Sequence, residues 1–210
     1  YKFVREAVQA YPELYFSRLV ILCEGDSEEI VLSRLFKAKD VSIDEYAISI
    51  VPLGGRHVNH FWRLLSVLKI PYLTLLDLGR YYGGWGRIKY VNDQLVKYKQ
   101  ESALPESTQI PSWNNETTNI RKSQEIIQFL ESKNVFFSSP MDLDYSMLLA
   151  YPEAYEVEPE DADDALIKAV LGKSYHNLEH YSAYELQLFR TYHRKFKLQS
   201  KPGTHIEGLA

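Results

Sequence analysis

An α/β fold built on a parallel sheet with helices on its faces is predicted by three features of the first eighty residues. Short apolar runs of strand length recur at regular intervals. The segments between them carry apolar residues at helical spacing, and the connecting links are short. Strand, helix, strand, helix, strand in that order favours parallel pairing, because each crossover places a helix over the sheet.

The elements follow in order. Leu19–Cys23 (LVILC) reads as the first strand. Asp26–Lys39 reads as a helix, with Ile30, Val31, Leu35 and Phe36 forming one apolar stripe. Ala47–Pro52 (AISIVP) is the second strand, and a Gly-Gly pair then leads into a helix in LGGRHVNHFWRLLSVLKI. Tyr72–Leu76 (YLTLL) is the third strand, ending at Asp77. Beyond the Gly-rich GRYYGGWGRIKYV, Arg87–Tyr98 reads as helical. The polar, proline-bearing stretch 101–119 reads as an inserted loop. Ile120–Ser132 is expected to be a helix, Val135–Ser138 a strand, and SPMDLDYSMLLA an acidic turn entering a helix. An acidic stretch over 151–164 precedes a short helix at Ala165–Leu171, and Tyr181–Leu198 reads as an aromatic-rich helix whose rings belong to the core. Lys201 stands beside what reads as a Pro-Gly turn. The expected division is a catalytic core over 1–150 and a helical segment over 151–210 that contributes a lysine to the site.

Composition narrows the class. The chain has 210 residues and a net charge of −4, so binding of nucleic acid by bulk charge alone is excluded; a local basic patch, or cations bridging acids to phosphates, remains. The one cysteine, Cys23, lies within an apolar run and excludes an internal disulfide or a cysteine-based zinc site. A reducing cytoplasm is expected. No apolar run approaches membrane-spanning length, and the amphipathic start YKFVREAVQAYPELYF is unlike a secretion signal. The chain begins without Met and is expected to be part of a longer protein.

The chemistry is carried by acids at strand ends, where ligands of parallel sheets gather. In LCEGDSEE, Glu24 follows the first strand and Glu28 lies one turn into the next helix, able to point back. Asp77 ends the third strand, and Asp142 and Asp144 follow the fourth; if DLD is extended, both point to one side. Helix capping accounts for Asp26 but not for Glu24 behind its apolar strand. Five carboxylates brought to one sheet edge repel one another unless cations offset them. An all-oxygen donor set suits Mg²⁺ or Mn²⁺.

This arrangement, strand-Glu-Gly-x-x-Glu, then strand-Asp, then Asp-x-Asp, resembles a Toprim domain. More narrowly, the chain resembles the C-terminal nuclease region of the OLD (overcoming lysogenization defect) family. The resemblance is carried by YPELYFSRLVILCEGDSEEIVL, ISIVPLGGRHVNHFWRLL, IPYLTLLDLGRYYGGWGRIKYV, FSSPMDLDYSML and SKPGTHIEGL. It implies a metal-dependent DNA endonuclease that hydrolyses phosphodiesters with two ions, Mg²⁺ or Mn²⁺. Glu24, Glu28, Asp77, Asp142 and Asp144 would be the metal ligands, and Glu24 and Lys201 catalytic residues. Lys201 would add positive charge where the phosphate gains negative charge. The resemblance also implies an upstream ABC-type ATPase domain, a possible homodimer and a role in phage defence. No P-loop is present in these residues, hence no ATP site. One position departs from the pattern: Toprim domains usually carry Asp-x-Asp after the third strand, whereas this chain has Asp77-Leu78-Gly79, so either Gly79 replaces the second acid or two residues of an original DLDLGR are missing.

Arg56, His57, Arg87 and Lys89, in glycine-rich turns or near helix starts, are candidates for holding DNA phosphates, and His205 in the tail is a candidate for orienting either a phosphate or Lys201. The alternative from a different class is a weakened Toprim module that binds DNA or a partner without cutting. Gly79 favours it; the retained, mutually repelling acids oppose it. A topoisomerase or primase would need flanking domains that these residues do not supply.

Overall fold

The computed structural model describes residues 11–54, 58–81, 85–99, 125–159 and 163–210. A 3-10 turn at Pro12–Phe16 leads into β1 (Leu19–Cys23), α1 (Asp26–Ala38), β2 (Ile48–Pro52), α2 (Val58–Leu68), β3 (Tyr72–Asp77) and α3 (Trp85–Lys99). A helix over 125–131, here α4, precedes β4 (Val135–Ser138) and α5 (Leu143–Ala150). Then come α6 (Asp164–Leu171), α7 (Ala183–Tyr192), a π turn at His193–Lys197 and α8 (Lys201–Gly208). The expected loop over 101–119 lies outside the described residues.

The sheet has the order β2-β1-β3-β4 and is parallel, as the alternation of runs and helices predicts. β1 pairs with β2 from Leu19↔Ile48 to Cys23↔Pro52 and with β3 from Val20↔Tyr72 to Cys23↔Leu75. The carboxyl ends of β1 and β3 therefore reach the same sheet edge. Val20, Leu22 and Cys23 are fully buried, which is why this strand is apolar throughout rather than alternating.

The described residues divide into two compact units: the chain up to Leu76 with Trp85–Phe137, and Asp77–Gly84 with Ser138–Ala210. This division does not fall at residue 150; the second unit already begins where β3 and β4 end. The first unit holds the sheet and α1–α4. In it the Trp62 indole N–H of α2 donates to Thr74 Oγ1 of β3 at 2.8 Å, satisfying two buried polar groups at once. The second unit has an aromatic core. Phe189 lies at ring-centroid distances of 4.9, 5.4 and 5.5 Å from Tyr81, Tyr181 and Tyr145, so the tail aromatics are core, as expected from sequence.

Two local expectations differ from the structure. The helix expected over Tyr181–Leu198 stops at Tyr192 and passes into the π turn. Lys201 begins a helix rather than flanking a turn: Ser200 caps it, with its Oγ accepting the Gly203 N–H at 3.4 Å, and Pro202 sits in the first turn, where its missing N–H costs nothing.

Candidate metal centre

The sequence-predicted acids fall into both units, and each group has its own chemistry. In the first unit, Glu24 directly follows β1 and is partly exposed. Its Oε1 accepts from the Arg87 guanidinium at 2.8 Å, so Arg87, expected to face DNA, is engaged by a carboxylate. Glu28 is 3% exposed. Its Oε2 turns back to accept the Gly25 N–H at 3.0 Å, fastening the amino end of α1. Lys89 is well exposed and paired to Asp93 at 2.6 Å one turn further along α3, a surface pair of small energetic weight. Arg56 and His57 lie outside the described residues.

In the second unit, Asp77, Asp142 and Asp144 all meet the amino end of α5. Asp77 Oδ1 accepts the Leu143 N–H at 2.9 Å, and Asp142 Oδ1 accepts the Tyr145 N–H at 2.9 Å. Two of the amides that a helix start leaves without partners are thereby satisfied by acids, which the helix dipole also favours. Asp142 keeps extended backbone as the cap, whereas Asp144 is already inside α5; the DLD segment is not extended throughout. The second oxygen of Asp142 accepts the Tyr192 hydroxyl at 2.6 Å. Asp144 binds cationic side chains or their donors on both oxygens: Lys201 Nζ lies 2.5 Å from Oδ2 and His205 Nε2 lies 2.9 Å from Oδ1. His205, expected to touch DNA, is fully buried and joins Asp144 to the Tyr155 hydroxyl, 2.8 Å from its Nδ1.

These contacts separate two neighbouring carboxylates. Burial, and then the charge of Asp144, raises the Asp142 pKa; the Tyr192 and Tyr145 hydrogen bonds only partly oppose it. Burial pushes Asp144 the same way, but the His205 hydrogen bond and the Lys201 ammonium outweigh it and bring its pKa below the usual carboxylate value. Burial alone would lower Lys201, yet Asp144 holds it above the ordinary lysine value, so it stays an ammonium at neutral pH.

Among the described residues, no three His, Cys, Asp or Glu side chains stand together as a ready-made ion site. The donor chemistry nonetheless fits Mg²⁺ or Mn²⁺. All five candidates are carboxylates, and a carboxylate has about four lone-pair sites, so one protein hydrogen bond does not saturate it. Cys23 is buried and its thiol pKa is pushed far up, first by burial and then by Glu28, so it offers no thiolate.

Tyr155 and Tyr192 were missed by the sequence reading. The available signal was general: a tyrosine in a core needs a partner for its hydroxyl, and buried acids are such partners.

Comparison with known proteins places the class. Residues 15–78 match the family model described as Overcoming lysogenization defect protein-like, TOPRIM domain. The chain thus contains an OLD-like Toprim domain, and its α/β fold is that of the C-terminal region of OLD proteins. Particular relatives follow. The C-terminal region of the Xanthomonas campestris pv. campestris OLD protein, in the structure phased with platinum, has a TM-score of 0.51 at 19% identity, covering 94% of this chain and 88% of that one. In the structure phased with iodine it has a TM-score of 0.52 at 20% identity, covering 92% and 84%. Endonuclease GajA of Bacillus cereus (strain HuB5-5) is 23% identical over 159 residues, 73% of this chain and 22% of that protein. The chain therefore spans about a fifth of the length of this curated relative. Among the described residues no helix is long and apolar enough to cross a membrane.

Proposed function

We propose that the chain is the catalytic region of a divalent-metal-dependent DNA endonuclease that hydrolyses phosphodiester bonds. The observation that carries this reading is the Asp144–Lys201 pair, a buried acid holding an ammonium beside Asp142. The Toprim match over 15–78 and the likeness to an endonuclease support it. Glu24, Glu28, Asp77, Asp142 and Asp144 are the residues that would hold two ions, Mg²⁺ or Mn²⁺. Bound there, such ions supply a water of lowered pKa and positive charge at the leaving oxygen.

The chain's own residues do the remaining work. Lys201, 39% exposed at its side chain, presents a permanent positive charge for the phosphate as it gains negative charge. Within the first unit, Arg87 holds the Glu24 carboxylate. Lys89, well exposed, is suited to the DNA backbone, and Arg56 and His57 are proposed for the same role. In the native protein an upstream ATPase region, a homodimer, a cytoplasmic location and a part in phage defence belong to the same reading.

A second reading, a Toprim module that binds without cutting, draws on Gly79 where a second acid is expected and on Asp144 having both oxygens engaged. The two are separated by nicking and linearisation of supercoiled plasmid in Mg²⁺, Mn²⁺, Ca²⁺ or EDTA, beside Glu24→Ala and Lys201→Ala. Cutting that requires Mg²⁺ or Mn²⁺ and vanishes in Glu24→Ala is expected. A folded protein that fails to cut with every metal offered leaves the binding module.

A further inference from the structure

Behind Lys201 stands a line of buried donors and acceptors, all within the second unit. Lys201 and His205 lie one turn apart on α8, so their side chains leave the same helix face. Both reach Asp144, one to each oxygen. His205 is 0% exposed, and its second ring nitrogen meets Tyr155, itself 1% exposed, at 2.8 Å. The imidazole is held between rings, with Phe196 at 5.0 Å and Tyr155 at 5.7 Å.

The line has a direction. The Tyr155 hydroxyl has His205 Nδ1 as its hydrogen-bond partner among the described contacts. If Nδ1 donated instead, the buried O–H would be left without an acceptor, at the full cost of desolvation. So the phenol donates to Nδ1. A neutral imidazole then carries its hydrogen on Nε2 and donates to Asp144 Oδ1. With that oxygen fixed, the carboxylate plane is fixed, and Oδ2 is aimed at Lys201 Nζ.

We propose that Tyr155 and His205 are positioning residues for Lys201: the chain Tyr155 O–H to His205 to Asp144 sets the carboxylate orientation that holds the ammonium in place. The functional consequence rests on the nuclease reading; the positioning itself does not. Lys201 is a long side chain with partial solvent access, and among the described residues Asp144 is the carboxylate that holds it. Misplacement of a charged group by about 1 Å can cost on the order of a hundredfold in rate, so a hydroxyl three residues removed from the ammonium is able to affect chemistry it never touches.

The test is nuclear magnetic resonance on the metal-free chain. Relaxation of the Lys201 side-chain ¹⁵Nζ group reports how tightly the ammonium is held, and long-range ¹H–¹⁵N correlation reports the His205 tautomer. In the wild type the ammonium is expected to be restricted and His205 to be protonated on Nε2. Tyr155→Phe keeps the ring and is expected to free the ammonium in part. His205→Ala should approach the mobility seen in Asp144→Asn. His205→Gln, whose amide N–H replaces that of Nε2, should recover most of the restriction. On DNA, Tyr155→Phe is expected to lower kcat about tenfold with KM within about twofold. An ammonium equally restricted in folded Tyr155→Phe and His205→Ala overturns the proposal, as does a wild-type His205 carrying its hydrogen on Nδ1, which needs no variant to detect. If the wild type does not cut DNA, the nuclease reading fails, and ammonium mobility still decides the positioning.

Discussion

Lys201 Nζ and Asp144 Oδ2 are 2.5 Å apart, and the Asp144 side chain is 3% exposed while that of Lys201 is 39% exposed. The pair is thus asymmetric: an acid that cannot reach water depends on a base that can. Lys201→Met leaves the acid buried with only His205 beside it. Removing one partner of a fully buried pair costs about 3–5 kcal/mol, and the solvent access of Lys201 reduces this to roughly 1–2 kcal/mol. The pH dependence follows from the lowered pKa of Asp144. The stability it contributes is present above the unfolded carboxylate value of 3.8 and is lost as pH falls through the lower folded value. In Lys201→Met the folded value lies closer to 3.8, so less stability should be lost over the same fall in pH. Urea unfolding between pH 3 and 7 tests it; parallel curves for wild type and variant would show that the pair contributes nothing to the fold.

Gly79 follows Asp77 at the spacing of the Asp-x-Asp pattern, and its backbone limits what the position accepts. It has φ +82°, a left-handed conformation, while its N–H donates to Met141 O at 2.7 Å. A Cβ built there meets no heavy atom within 4 Å, so the limit is conformation rather than space. Gly79→Asp and Gly79→Ala should each destabilise by about 1 kcal/mol, roughly 2–4 °C in Tm for a chain of this size. Only Gly79→Asp adds a carboxylate. If the missing acid limits ion binding, Mn²⁺ titration calorimetry will show tighter binding for Asp and no change for Ala. Equal affinities would mean that the remaining acids suffice.

Arg87 shares Glu24 with any ion that binds there. The guanidinium is 2.8 Å from Oε1, and both side chains are partly buried, at 15% and 26% exposed, so the positive charge is not fully screened. Arg87→Met should tighten Mn²⁺ binding about three- to tenfold by removing a competing cation. Arg87→Lys should leave it near wild type. Weaker binding in Arg87→Met would instead assign Arg87 the orientation of Glu24 as its dominant effect.

The strands were legible because burial of the sheet demands continuous apolar runs: β1 and β4 match the expected Leu19–Cys23 and Val135–Ser138, and β3 extends only to include Asp77. Glu24 and Asp77 were legible as acids at strand ends for the same reason. The surroundings of Lys201 were not. Pro-Gly after Lys201 is compatible with a turn or with the first turn of a helix, and the Ser200 cap decides for the helix. The hydroxyl partners were hidden by number and distance. The sequence has 16 tyrosines, and Tyr192 meets Asp142 across 50 positions, as Tyr155 meets His205. Local pattern cannot select among them; the packing of α5 with α7 brings Tyr192 to Asp142, and that of the turn after α5 against α8 brings Tyr155 to His205.

Asp142 should be stabilised by losing its charge. It is 8% exposed, and burial with the neighbouring Asp144 charge raises its pKa. A carboxyl that holds its proton more tightly when folded is neutral in both states at low pH. The folded state then loses stability as pH rises from the unfolded value of 3.8 through the raised folded value. Asp142→Asn removes that loss. Asn is as good a helix cap as Asp and its Oδ1 can still accept the Tyr145 N–H, but its amide leaves the buried Tyr192 O–H without that acceptor, a cost that does not vary with pH over this range. The stability of the variant relative to wild type should therefore rise as pH increases from 3.8 toward 7. If Asp142 also holds an ion, the same variant loses metal-dependent cutting and any shift of Tm on adding Mn²⁺. A residue that weakens the metal-free fold yet is needed for ion binding marks a site maintained for function. Thermal unfolding of both proteins from pH 3.5 to 8, with and without Mn²⁺, separates the cases. A difference between variant and wild type that does not change with pH would identify Asp142 as a structural cap alone.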